Sequence, residues 1–93
     1  MSPTAVQHRL TRAEIHITRR DWPRAEADAR AALAIQPLHW KGHLFLAVCR
    51  HHQGDPVAAR RERETAADLV PSDELRTAYL RWYHEQTRRR KDE

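Results

Sequence analysis

Ninety-three residues, 40% hydrophobic and 32% charged, fit one folded domain with a small core, whose stability gains from a partner or a second copy. Seventeen lysines and arginines against thirteen acids leave a formal charge of +4, with most arginines interleaved among acids as on a solvated face, a weak case for nucleic acid. Cys49 is the only cysteine, so no internal disulfide can form. No apolar run approaches the ~18 residues of a membrane span and no signal-type apolar region opens the chain, so a cytoplasmic protein is expected.

In chain order, the punctuation predicts five helices and an all-α fold. Thr4 with Gln7 makes a capping box, and Val6, Leu10, Ala13 and Ile17 follow helical spacing, so the first helix is expected from about Ala5 to Arg19. Asp21 caps the second, with Pro23 in its first turn. The alanine-rich stretch from Ala25 to Ile35 then favours helix until Pro37. The third runs from about Leu38 to Gln53 and stops at Gly54. Asp55-Pro56 starts a fourth, which reaches Leu69 before Pro71. Ser72 caps a fifth helix, expected to extend to about Arg89, with Asp73 and Glu74 at the positive end of its dipole.

The order conceals a repeat. Pro3, Pro37 and Pro71 are spaced by 34 residues. At the same offset Leu10 matches Leu44, Ala13 matches Ala47, Asp21 matches Asp55, Ala25 matches Ala59 and Ala32 matches Ala66. These are the positions where a helical hairpin needs a small contact, a turn or a terminator. Leu46, Ala47, Gly54, Asp55, Ala59, Ala66 and Pro71 in the second unit, and Ala13, Asp21, Trp22, Ala25, Ala32 and Pro37 in the first, resemble the tetratricopeptide repeat family.

The resemblance implies a short α-solenoid: repeat one over 4–37, repeat two over 38–71, a capping helix over 72–90 and a tail over 91–93, in a single domain. Where the family carries aromatic residues this chain has His16, Arg50, Ala29 and Arg63, so thinner packing between helices is expected. Two units are fewer than such arrays usually have, which favours self-association or a permanent partner.

In that family the concave face is lined by the first helix of each unit. The resemblance maps it onto Gln7, Leu10, Glu14, Ile17 and Thr18, then Lys41, Leu44, Val48, His51 and His52, then Leu75, Ala78, Trp82, Glu85 and Gln86 of the last helix. Leu10, Ile17, Leu44, Val48, Leu75 and Trp82 form an apolar stripe suited to a helical or extended segment of a partner. The competing reading is that these side chains meet in the core of a short, strongly curved array. Tyr79 and Trp82 are expected as a ring pair on another side, for binding or dimer contact, with Tyr83 and Leu80 packed back on the second hairpin. The implied function is a protein-interaction module, an adaptor or chaperone-like scaffold, with no catalytic role. The clamp some members use for acidic tails does not fit, because Leu10, Glu14 and Phe45 stand at its positions.

The remaining chemistry is sparse. His39 with His43, and the pair His51 and His52, lack the ligand quartet of structural zinc, so neither metal nor cofactor is expected. Histidines at a helix C-terminus suit its dipole and can make partner binding pH-sensitive. Cys49 precedes His52 by one turn, as a nucleophile and base would, but its position matches a buried small residue and a buried thiol is expected. No glycine-rich phosphate loop is present. The alternative function, a nucleic-acid-associated module, rests on Arg88, Arg89, Arg90 and Lys91, cations that equally complement the end of a helix dipole.

Overall fold

A computed structural model describes residues 3–88. They form α1 (Pro3–Thr18), α2 (Trp22–Ile35), α3 (Trp40–His52), α4 (Pro56–Leu69) and α5 (Asp73–Thr87), with no strand among the described residues. Sequence neighbours pack together, α1 on α2, α2 on α3 and α3 on α4, while α1 and α5 both lie against α3.

Local chemistry explains the helix starts. Asp21 and Asp55 accept the amides of Arg24 and Ala58 at 3.3 and 3.0 Å, each with a proline in the first turn, and Ser72 accepts that of Leu75 at 3.1 Å. Two starts differ from expectation. α1 begins at Pro3, whose missing N–H costs nothing in a first turn, so Thr4 lies inside the helix and not at its cap. α3 begins at Trp40 because His39 caps it, leaving Leu38 in the turn, 73% exposed. α5 is helical to Thr87 with Arg88 as its C-cap; the rest of the helix expected to about Arg89 lies outside the described residues.

The 34-residue offset reappears in three dimensions. Arg20 and Gly54 both take left-handed backbone, at φ 59° and 81°, and the next amide in each case returns to the helix just ended: Asp21 to His16 at 2.8 Å, Asp55 to Arg50 at 2.9 Å. Glycine adopts that geometry freely; Arg20 does so at a strain of about 1 kcal/mol. Arg9 pairs with Asp28 at 3.1 Å, and the residues 34 further on, His43 and Glu62, pair at 2.7 Å.

α3 is the centre of the molecule. Leu44, Phe45, Leu46, Ala47, Val48 and Cys49 are all buried, as befits a helix covered on every side. Small residues draw its neighbours close: a Cβ on Gly42 would sit 2.6 Å from Cδ2 of Leu33 on α2. Where thin packing was expected the seams are closed by polar networks. His16, Arg9 and Arg12 of α1 converge on the buried carboxylate of Asp28 at 3.5, 3.1 and 3.7 Å. Gln53 and Arg50 donate to Glu26 Oε1 at 2.6 and 2.9 Å. The Gln53 bond, aided by Arg50 and Arg30 and opposed by burial, holds the Glu26 carboxyl below the usual carboxylate range.

Candidate functional site

Among the described residues α1 and α5 flank α3, with two hollows between them that bear on the site. The first, about 190 Å³, is lined by Glu14 of α1, Trp40, Lys41, Leu44 and Phe45 of α3, and Leu75, Ala78, Tyr79 and Trp82 of α5. Its walls are aromatic. Trp40 meets Tyr79 with ring centroids 5.8 Å apart and Phe45 meets Trp82 at 5.4 Å, both tilted as ring quadrupoles favour. Leu75 is 42% exposed at its edge. Among the described residues the charges on the lining are Lys41, whose Nζ lies 5.7 Å from the Trp40 ring, and Glu14.

The second hollow, about 270 Å³, is polar and lined by Ile17, Thr18, Arg20, Glu85, Gln86 and Arg88. Glu14 and Leu75 face the first hollow while Thr18 and Glu85 face the second, so α1 and α5 run alongside one another in the same direction.

The expected groove residues divide accordingly. Glu14, Lys41, Leu44, Leu75, Tyr79 and Trp82 meet around the first hollow. Leu10 and Val48 are buried in the core, as is Ile17 at the edge of the second hollow, and Leu44 shows little surface even at the first. The broad apolar stripe is therefore corrected to a compact pocket, because α1 and α5 each press an apolar face onto α3.

Tyr79 is a second correction. It is 3% exposed, its hydroxyl is buried without a protein hydrogen-bond partner, and with Trp82 it faces the groove instead of forming an exposed pair elsewhere. Tyr83 is buried under the Arg63 guanidinium, 5.4 Å from its ring, so it does pack back on the second hairpin.

His51 and His52 lie outside the aromatic pocket. His51 is exposed, whereas His52 stacks on Trp22 with centroids 4.0 Å apart and its Nε2 lies 2.7 Å from the Gln86 carbonyl, tying α2, α3 and α5 together. Cys49 is buried with Sγ 3.8 Å from the Trp22 carbonyl, and burial pushes its thiol up to about 12, which removes the thiolate a nucleophile needs. No group of three or more metal-ligating side chains is gathered among the described residues. Arg89, Arg90 and Lys91, the body of the expected cationic run, lie outside the described residues.

Phe45, like Trp40, is a wall residue that sequence patterning did not bring into the groove. Its signal lies in the offset: Phe45 and Tyr79 are 34 apart, so the same register that places Tyr79 in the pocket wall also places Phe45. Among the described residues no helix is long and apolar enough to cross a membrane. The chain matches no family model, and no curated protein or solved structure matches it significantly.

Proposed function

We propose that the two hairpins and α5 form a short tetratricopeptide-like array that holds a helical or extended segment of another polypeptide over α3. The aromatic pocket carries the reading: Trp40, Phe45, Tyr79 and Trp82 surround a space of about 190 Å³ with Leu75 exposed at its edge. That volume suits one large apolar side chain, since a dry cavity of about 150 Å³ takes up benzene, and it falls below the roughly 300 Å³ at which cofactor and drug-sized sites begin. Rings around a small apolar recess are the composition of an interaction hot spot. Lys41 and Glu14 then supply polar contacts that orient the segment.

The test is selection of binders from a displayed peptide library, followed by titration against Trp82→Ala and Leu75→Glu, both checked for fold by circular dichroism. Binding is expected to weaken at least tenfold in each variant, about 1.4 kcal/mol, while Arg60→Glu on the α4 surface leaves it unchanged. Equal affinity in parent and groove variants would remove the site from this surface. Light scattering separates the case in which the partner is a second copy, which shows as a dimer lost in the same variants.

A further inference from the structure

α3 is capped by an imidazole, whereas the caps of α2, α4 and α5 are aspartate, aspartate and serine. His39 Nδ1 accepts the Lys41 amide N–H at 3.2 Å, so in this arrangement that nitrogen carries no proton. A proton there turns the acceptor into a donor facing a donor and sets a cation on the positive end of the helix. Four residues on, His43 has the opposite role. Its Nδ1 lies 2.7 Å from Glu62 Oε2 and its Nε2 lies 2.8 Å from the Pro37 carbonyl, two oxygens that only accept. Acid therefore removes the bond at His39 and keeps those at His43.

We propose that His39 is a proton-operated cap on the groove: its protonation frays the first turn of α3 and frees Trp40 and Lys41, while His43 anchors the helix beyond them. The boundary is physical. His43 is tied to α4 through Glu62 and to the turn before α3 through Pro37, and the Gly42 backbone lies against Leu33 of α2. Ahead of that anchor, Trp40 and Lys41 are two wall residues of the pocket, and Trp40 makes the ring contact with Tyr79 of α5.

The surroundings reinforce the unprotonated cap. Burial first, and then the Lys41 charge, holds the His39 imidazole below the ordinary histidine range. From α4 the junction receives Glu62, already engaged by His43, and from α5 the Tyr79 ring. Residues 31–36, at the end of α2, bring no charge. The functional consequence rests on the groove reading above; the cap itself does not.

The experiment follows the Lys41 amide and the Trp40 indole N–H by NMR in the free chain from about pH 7.5 to about pH 5, the span in which histidine titrates. Both signals are expected to move together, with a midpoint below the ordinary histidine value, and protection of the Lys41 amide is expected to fall about fivefold, the loss of one ordinary cap. His39→Ser, whose hydroxyl caps without titrating, is expected to flatten both curves and to leave the His43 ring signals as they are. His39→Ala is expected to show the acid spectrum at neutral pH. A Lys41 amide indifferent to acid in the parent, or a titration that persists in His39→Ser, overturns the proposal. A Lys41 titration without a Trp40 response overturns the link to the groove. Since every readout is taken without a ligand, a groove that accepts no peptide leaves these curves unchanged, and the two readings fail separately.

Discussion

Among the described residues Asp28 is the one charged residue in the buried set, at 4% exposure, and it is met by Arg9, Arg12 and His16 from a single stripe of α1. Arg9 and Arg12 keep roughly half of their side chains in solvent, which screens the pairs, so much of the effect of removing Asp28 comes from the cations and donors left facing a dry wall. Asp28→Ala is expected to cost about 2 kcal/mol in urea unfolding, and Asp28→Asn, which keeps an acceptor, about half of that. Equal losses would mean that the charge carries the whole effect and the neutral acceptor none, whereas an Asp28→Asn variant as stable as the parent would mean that the charge contributes nothing. Two other side chains fix how acid acts on the fold. The Glu26 carboxyl is held below its ordinary range, so its contribution is present above that range and is lost as pH falls through the lowered value. His39 is likewise depressed: its contribution is complete above the ordinary histidine value and is lost as pH falls from there through the lowered one. Both weaken the fold on acidification, the histidine at higher pH, so its loss is separable from that of the carboxylate.

At the scale of elements, the contact of α2 with α3 depends on a missing side chain. A methyl group on Gly42 would meet Leu33 Cδ2 at 2.6 Å and Cγ at 2.7 Å, and the Cγ contact cannot be relieved by turning a terminal methyl aside. Alanine improves helix propensity by about 1 kcal/mol, while overpacking costs roughly 1–3 kcal/mol. Gly42→Ala is therefore expected to be net destabilising by about 1 kcal/mol, and Leu33→Ala in the same chain to recover part of that loss in a double-mutant cycle. A stabilised Gly42→Ala single variant would show that α2 and α3 separate easily. The equivalent residue in α5, 34 positions on, is Arg76, which instead sends its Nη2 to the Ala67 carbonyl of α4 at 3.3 Å. α5 meets α4 through the long arginines Arg76 and Arg63, whereas at Gly42 the backbone of α3 lies directly against α2.

That difference governs the whole molecule. α5 is fastened by Tyr79, Trp82 and Tyr83 and by the His52 bond to Gln86, contacts that are few but large. Tyr83→Ala is expected to cost about 3 kcal/mol and to speed amide exchange in α5 more than in α2 and α3, as for a unit that opens separately. Uniform exchange across all five helices would make the chain one cooperative body.

The sequence by itself determined the five helices, the starts of three of them at Asp21, Asp55 and Ser72, and the 34-residue offset, because proline, glycine and side-chain acceptors set helix boundaries locally. His39 escaped, since an imidazole rarely caps and only the Lys41 amide reveals it. The resemblance also grouped Glu14, Lys41, Leu75 and Trp82, all four of which line the first hollow. What the tertiary structure alone decided is how much of the expected groove stays open. Leu10, Ile17, Leu44 and Val48 look the same in sequence whether they line a groove or fill a core, and the choice falls to how closely α1 and α5 approach α3, a property of side chains thirty or more residues away.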